Sequence, residues 1–236
     1  MVDFNISISG IRAALFREDV SANNIANINT PAFKSSRVDQ VDIASGGTRI
    51  ADVNINFSQG PLELAEGRFS LAIQGDGFFA VQTPQGMRFT RAGSFNIDAN
   101  GNVVTAEGYR LSPNIQIPTD ARSIMVSPDG TVSATMPDGT VNTVAQIQLA
   151  RFNNPGGLKL EGSNLTSQSS ASGDPIFGNA GDGAFGSLVF GALEGSNVDL
   201  AGELVSQIIN SAAVKANVGV IKTQNEMLGD MLDMVG

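Results

Sequence analysis

Apolar and polar positions along the chain change period twice. Up to about residue 30, Phe4, Ile8, Ile11, Leu15, Ala22 and Ile25 recur three or four apart, with Glu18 as the break. That spacing puts them on one narrow face of an amphipathic helix. The run Ala22-Asn23-Asn24-Ile25-Ala26-Asn27-Ile28-Asn29-Thr30-Pro31 follows. Asparagine side chains compete for backbone bonds and the residue before proline is pushed out of the α region, so the helix is predicted to end between Asn27 and Thr30.

Helical spacing returns near Ser196. Ser196-Asn197-Val198-Asp199 offers a hydroxyl with an acid three positions on, which predicts a helix start with Ser196 as its cap. Leu200, Leu204, Val214, Val218, Ile221, Leu228, Leu232 and Val235 then keep heptad spacing, with Gln207, Ser211 and Asn225 as polar interruptions. This is a coiled-coil-like stripe. A single helix over 197–234 would be about 57 Å long, roughly 15–20 Å longer than the first one. Pairing the two stripes is the direct way to bury both, and the surplus length leaves apolar surface without a partner in the same molecule. Gly202, Gly219 and Gly229 each weaken the isolated helix by about 1 kcal/mol relative to alanine. Ends of this kind are ordered by association.

Residues 50–195 have another texture, with short alternating or apolar runs at 69–73, 78–82, 87–90, 103–105, 124–127, 131–134 and 145–152. Gln74-Gly75-Asp76-Gly77, Thr83-Pro84-Gln85-Gly86, Asn100-Gly101, Pro128-Asp129-Gly130 and Pro137-Asp138-Gly139 separate them. Glycine takes positive φ, proline presets φ and Asx side chains bond their own backbone, so these read as turns. The fold expected is mainly β with α: an antiparallel β domain of many hairpins, flanked by N- and C-terminal helices that pair with each other. The expected parts are 1–34, 35–195 and 196–236, with 153–187 as a long irregular excursion.

Composition removes much chemistry. The 236 residues include no cysteine and no histidine, which excludes disulfides, Cys/His zinc sites, thiol nucleophiles and a Ser-His-Asp triad. Fourteen basic against 23 acidic residues give a charge of −9, the opposite of a nucleic-acid footprint. No unbroken apolar run approaches a membrane span, and Met1-Val2-Asp3-Phe4-Asn5 has no cationic region ahead of an apolar one, so neither a span nor a cleaved leader is expected.

Three motifs, in order, resemble the bacterial flagellar rod and hook proteins. They are Ser21-Ala22-Asn23-Asn24-Ile25-Ala26-Asn27-Ile28-Asn29-Thr30-Pro31-Ala32-Phe33-Lys34; Leu71-Ala72-Ile73-Gln74-Gly75-Asp76-Gly77-Phe78-Phe79-Ala80-Val81 with Phe89-Thr90-Arg91-Ala92-Gly93-Ser94-Phe95; and Glu194-Gly195-Ser196-Asn197-Val198-Asp199-Leu200. The β arrangement and Ile115-Gln116-Ile117-Pro118 look most like the distal-rod branch. The resemblance implies an axial structural subunit that needs no cofactor. It would pass through the flagellar type III export apparatus without a cleaved signal and stack helically with copies of itself and with other rod and hook proteins. It would lie in the basal body across the periplasm. Assembly would run through Ile8, Ile11, Leu15, Asn23, Asn24, Ile25, Asn27 and Phe33 at one end. At the other it would use Ser196, Asn197, Leu200, Leu204, Val214, Val218, Ile221, Leu228 and Leu232. Gly75, Asp76, Gly77, Phe78 and Phe79 would form the β-domain motif. Two departures stand out. Ala32 replaces the glycine usual in the family, so the turn before Phe33 is expected to differ, and residues 35–56 are short for a distal rod protein.

Other chemistry is weaker. Gly75-Asp76-Gly77-Phe78-Phe79-Ala80 fits the spacing of a dinucleotide fingerprint, but a strand rather than a helix follows, so a hairpin is expected. Asp98-Ala99-Asn100-Gly101-Asn102 opens like a calcium loop, yet Val103 and Tyr109 stand at the sixth and twelfth positions, so a turn without metal is expected. Glu63, Glu66 and Asp76 could supply the paired carboxylates of a peptidoglycan hydrolase, against the simpler reading of solvated acids. Met227, Met231 and Met234 read as helix-packing surface. Asn23, Asn24, Asn27 and Asn29 are expected to fix how the helix ends and to face a neighbour, so that removing Asn24 or Asn27 leaves the monomer's stability nearly unchanged.

Overall fold

The computed structural model describes residues 4–65, 67 and 69–234. They form two compact units. Of the described residues, those in 4–28, 34–56 and 198–234 form the first and those in 29–33 and 57–197 the second. Both expected helices form. Helix α1 spans Phe4–Ala26 and α2 spans Leu200–Asp233. At 34 residues α2 is about 51 Å long, against about 35 Å for the 23 residues of α1. They run antiparallel: Ser21 and Asn24 of α1 bond Glu203 near the start of α2, while Gly10 lies against Asn217 farther along. The cap of α2 is Asp199, whose carboxylate accepts the Ala201 N–H at 3.1 Å, and not Ser196 as the hydroxyl-acid spacing suggested. The acid itself occupies the non-helical position, one residue before Leu200.

The first unit also contains a hairpin, β1 (Ser36–Asp42) with β2 (Thr48–Ile55), paired antiparallel with a bulge between Asp39 and Gln40. It runs along α1. Asn24 bonds Ser36 at one end, Gln40 reaches the Ala13 carbonyl midway, and Ser9 Oγ accepts the Thr48 N–H at the other. Gly47 turns with φ +94, where a side chain would run into the Ser9 hydroxyl. These contacts group 34–56 with the helices.

The second unit is the β body. Its strands are β3 (Leu62–Leu64), β4 (Phe69–Gln74), β5 (Phe78–Thr83), β6 (Gly86–Thr90), β7 (Ser94–Ile97), β8 (Val103–Val104), β9 (Arg110–Ser112), β10 (Ser123–Val126), β11 (Thr131–Thr135), β12 (Val141–Gln146), β13 (Gln148–Arg151), β14 (Lys159–Gly162), β15 (Leu165–Ser167), β16 (Ile176–Asn179), β17 (Ser187–Phe190) and β18 (Ala192–Glu194). An 11-stranded sheet follows the order β14-β15-β6-β5-β9-β8-β7-β4-β17, with β13 joining β5 to β16. The smaller sheets are β10-β11-β12 and β18-β3. All pairings are antiparallel.

Four of the five expected turns close hairpins: β5–β6, β7–β8, β10–β11 and β11–β12. The fifth does not. Gly75-Asp76-Gly77 joins β4 to β5, but β9, β8 and β7 lie between those strands in the sheet. A three-residue link between strands so far apart in order requires the sheet to fold over on itself. The fold brings Phe69, Leu71 and Ile73 of β4 into one buried cluster with Phe79 and Val81 of β5. The opposite face of β5 is buried too, with Phe78 and Ala80 in a second cluster beside Phe89, Phe152 and Leu158. Both positions of the strand's two-residue period are thus apolar, which is why the run 78–81 lacks alternation. The excursion 153–187 carries a short 3₁₀ turn, Pro155–Gly157, and the strands β14 to β16.

Candidate assembly interface

The apolar stripes are only partly covered in the helix pair. The face of α1 that is covered follows Ser7, Gly10, Ala14, Arg17, Ser21 and Asn24, spaced alternately three and four apart. Small side chains here let the helix backbones approach, and polar ones bond across. On α2 the matching positions include Glu203, Asn210, Asn217 and Gln224, and Asn210 is the one fully buried. The seam is polar. Ser21 Oγ donates to Glu203 Oε2 at 2.6 Å and Asn24 Nδ2 donates to Glu203 Oε1 at 2.7 Å. Asn24, 1% exposed, also donates to the Ser36 carbonyl at 2.8 Å and accepts the Ser36 N–H at 2.9 Å. One amide side chain thereby ties α1, α2 and β1 together. The Glu203 carboxylate thus has two donors in a seam where an unpaired one would be strongly unfavourable.

The predicted assembly residues fall mostly outside that seam. Ile8 and Leu15 are exposed on α1, while Ile11 and Ile25 are half-buried at its flank. On α2, Leu200, Leu204 (47%), Val218, Leu228 and Leu232 (73%) are exposed and Val214 and Ile221 are half-buried. Val205, Ile208 (70%) and Ile209 widen the exposed apolar surface. The helices pair as expected, with polar bonds to Glu203 in the seam, and the pair leaves much of both apolar stripes exposed. Val235 lies outside the described residues. By length and a mean hydropathy of 1.3 over 18 residues, α2 could cross a membrane, and 6% of that window is buried. An uninterrupted apolar run is absent, but alanines and glycines between the polar residues keep the average high.

Asn23 is exposed, and Asn27 Nδ2 donates back to the Asn23 carbonyl at 2.9 Å. Phe33 and Asn197 bracket the second unit's end of the chain crossings: the Asn197 N–H reaches the Phe33 carbonyl at 3.4 Å and its side chain donates to the Ser58 carbonyl at 3.0 Å. Ser196 is half-buried beside them. Ala32 keeps the left-handed conformation, φ +57, although it carries a Cβ, and its N–H donates to the Glu194 carbonyl at 2.7 Å. The turn is therefore that of a glycine, held by an alanine.

Gly75, Asp76, Gly77, Phe78 and Phe79 form the turn and core strand described above. Beside them lies a feature that sequence reading passed over, an ion pair of Arg91 Nη1 with Glu194 Oε2 at 3.6 Å, both side chains buried. Arg91 Nη1 also donates to the Gly75 carbonyl at 2.9 Å, its guanidinium lies 5.3 Å from the Phe78 ring centre, and Glu194 Oε1 accepts the Gly60 N–H at 2.9 Å. Burial lowers the Arg91 pKa below its ordinary value, opposed by the charges of Glu194 and Asp76. Both residues stand within the quoted motifs, yet charge alone gives no sign of burial. Glu203 and Arg17 were missed likewise, although the three-four spacing of Ser7, Gly10, Ala14, Arg17, Ser21 and Asn24 was as regular as that of the apolar stripe.

The candidate chemical groups behave as local structure. Asp98 Oδ1 accepts the N–H groups of Asn100 and Asn102, and the Asn102 side chain donates to Oδ2, which holds the carboxyl below its usual range. Glu63 is exposed on β3 and Asp76 is exposed in its turn, while Glu66 lies outside the described residues. Among the described residues no group of three or more acids could hold a metal ion.

Comparison with known proteins matches three stretches. Residues 4–34 match the family described as flagella basal body rod protein, 72–134 the flagellar hook protein FlgE/F/G D1 domain, and 190–234 the flagellar basal body rod FlgEFG protein C-terminal. The chain is 36% identical to the flagellar basal-body rod protein FlgG of Bacillus subtilis, over 96% of both chains. It is 35% identical to FlgG of Borreliella burgdorferi over 94% of both. Similarity to the flagellar hook protein FlgE of Escherichia coli is 39% but covers 59% of this chain and 33% of that protein.

Proposed function

The chain belongs to the flagellar basal-body rod proteins and is a structural subunit of that rod, and we propose that it takes a distal-rod-like place and builds the rod by helical self-assembly through its terminal helices. The observation that carries this reading is the apolar surface that the helix pair leaves exposed. Burying Leu204, Val205, Ile208 and Ile209 against neighbours would contribute about 6–12 kcal/mol as an upper bound. These side chains are already part-covered in the monomer, which leaves roughly half of that contribution unused. A lipid-facing helix is apolar all round. Here Lys215, Lys222 and Glu226 interrupt the exposed surface, which suits neighbouring helices better than a bilayer. Copies of the chain and other rod and hook proteins are the partners. The subunit reaches them through the flagellar type III export apparatus and spans the periplasm in place. We assign it no catalytic role and no cofactor. Similarity to FlgE favours a hook-type subunit as second reading, but extends over only a third of that protein.

Leu204→Asp and Ile208→Asp test the assembly. Both positions are exposed, so the helix content and unfolding of the isolated chain should stay as they are while cells lose completed rods and motility. Motile cells carrying either substitution at normal expression would contradict the proposal. Electron microscopy of isolated basal bodies with a tagged chain tests the place: label at the distal rod supports it, and label in the hook or proximal rod overturns it.

A further inference from the structure

Beside the polar seam lies a groove of about 600 Å³, lined by Arg17, Val20, Asn24 and Ser36 on one side and by Glu203, Ser206, Ile209 and Asn210 on the other. Arg37 and Val38 also reach it. Arg17 is its odd member. Its Nε is buried without an acceptor, and no ion pair engages it among the described residues. A buried guanidinium N–H without an acceptor is unfavourable and calls for an explanation. Neighbouring Arg37 pairs with Asp39 at 3.8 Å, well exposed to water, so it too can take another acid.

The complementary oddity sits at the far end of α2. Asp230 and Asp233 occupy its last turn, where no basic residue is present. Negative charge is unfavourable at a helix C-terminus, because the backbone dipoles already place partial negative charge there. Three residues apart, the two carboxylates share a face. Met231, Leu232 and Met234 around them are exposed. Asn210 in the groove is twenty residues before Asp230 on the same helix, about 30 Å away, so the chain's own acids cannot reach its own arginine.

We propose that this groove receives the C-terminal end of α2 from a second copy of the chain, with Asp230 and Asp233 against Arg17 and Arg37 and the tail's methionines and Leu232 against Val20, Val38 and Ile209. The contact joins two different surfaces, so each copy still offers a free groove and a free tail after it forms, and repetition gives an open-ended stack rather than a closed dimer. It deepens the self-assembly reading by naming which parts of two copies meet.

The absence of cysteine makes the test clean. Ser206→Cys with Met231→Cys places both thiols on one helix, about 37 Å apart, so no disulfide can close within a molecule. Oxidised basal bodies containing this chain should yield a ladder of dimers, trimers and higher multimers, while either single-cysteine chain yields dimers at most. Arg17→Glu, or Asp230→Lys with Asp233→Lys, should lower the ladder at least tenfold, and the three changes together should restore it. Chain present in basal bodies without a ladder overturns the docking and leaves the rod reading intact. A ladder from concentrated purified chain that is absent from basal bodies supports the docking and overturns the rod reading. A ladder indifferent to the charge reversals overturns the assigned residues, as would a double-cysteine chain that stops at dimers.

Discussion

Asn24→Ala should loosen the helical unit severely, whereas Asn23→Ala, one residue away, should not. The first change removes two bonds with the Ser36 backbone and one with the Glu203 carboxylate. Neutral bonds are worth about 1 kcal/mol each and one to a charged group about 1.5–3, giving roughly 3.5–5. Alanine's better helix propensity returns about 0.5, leaving about 3–4.5 kcal/mol. Asn23 is exposed, and its replacement should stay within about 0.5 kcal/mol of zero. Native-state hydrogen exchange reads the difference site by site. In Asn24→Ala the Ser36 amide and the amides of α1 should exchange roughly 10²–10³ times faster, by tenfold per 1.4 kcal/mol. Asn24→Asp should do the same through repulsion from Glu203, and Glu203→Gln should recover part of the loss. Equal exchange in Asn23→Ala and Asn24→Ala would refute the reasoning and return the asparagines to a purely intermolecular role.

Glu194→Ala should destabilise the β body by about 3–5 kcal/mol in urea unfolding, because it strands a buried guanidinium, and Glu194→Leu with Arg91→Met should recover most of that. Ala32→Gly should change thermal stability by no more than about 1 kcal/mol, since relief at φ +57 is offset by a lost buried methyl and a freer unfolded chain, but Ala32→Val should be strongly destabilising. Asp98 and Asp138 are held below their usual range by side-chain donors Asn102 and Thr140, and Asp129 by the Thr131 N–H. Their contribution is complete above the unfolded carboxylate value of about 4 and is lost as pH falls through the lower folded values. The urea midpoint should therefore drop between pH 5 and pH 2, and less steeply in Asp138→Asn.

Much of the fold could be read from turn chemistry and period. Asn100-Gly101, Pro128-Asp129-Gly130 and Pro137-Asp138-Gly139 stand where hairpins close, because glycine φ and Asx bonding act over four residues and need no distant partner. The link Gly75-Asp76-Gly77 carries the same local signals, yet joins strands separated by three others, since the folding of the sheet depends on Phe69, Leu71, Phe79 and Phe95 packing across it. Likewise β1 and β2 escaped notice. In β1 the apolar residues Val38 and Val41 stand three apart across the bulge, which breaks alternation, and the amide of Asn24 and the hydroxyl of Ser9 tie the hairpin to α1.

The apolar stripes were legible in spacing, but how much of them the helix pair covers was not. Heptad spacing states that a helix has a face to bury; it does not state against what. In this chain two periodic faces coexist on α1, an apolar one through Ile8 and Leu15 and a small polar one through Gly10, Ala14, Ser21 and Asn24. If the apolar faces closed on each other, the isolated chain would be more stable and would have little left with which to recruit a neighbour. Pairing through Glu203, Ser21 and Asn24 costs the monomer part of that burial and fixes register instead, because a carboxylate with two donors is satisfied in one alignment and not in one shifted by a turn. A polar seam inside and apolar flanks outside is the division of labour expected of a subunit whose larger stabilisation comes from its neighbours. The orphaned Arg17 and the misplaced acids of the last turn are then two halves of one contact, made between copies.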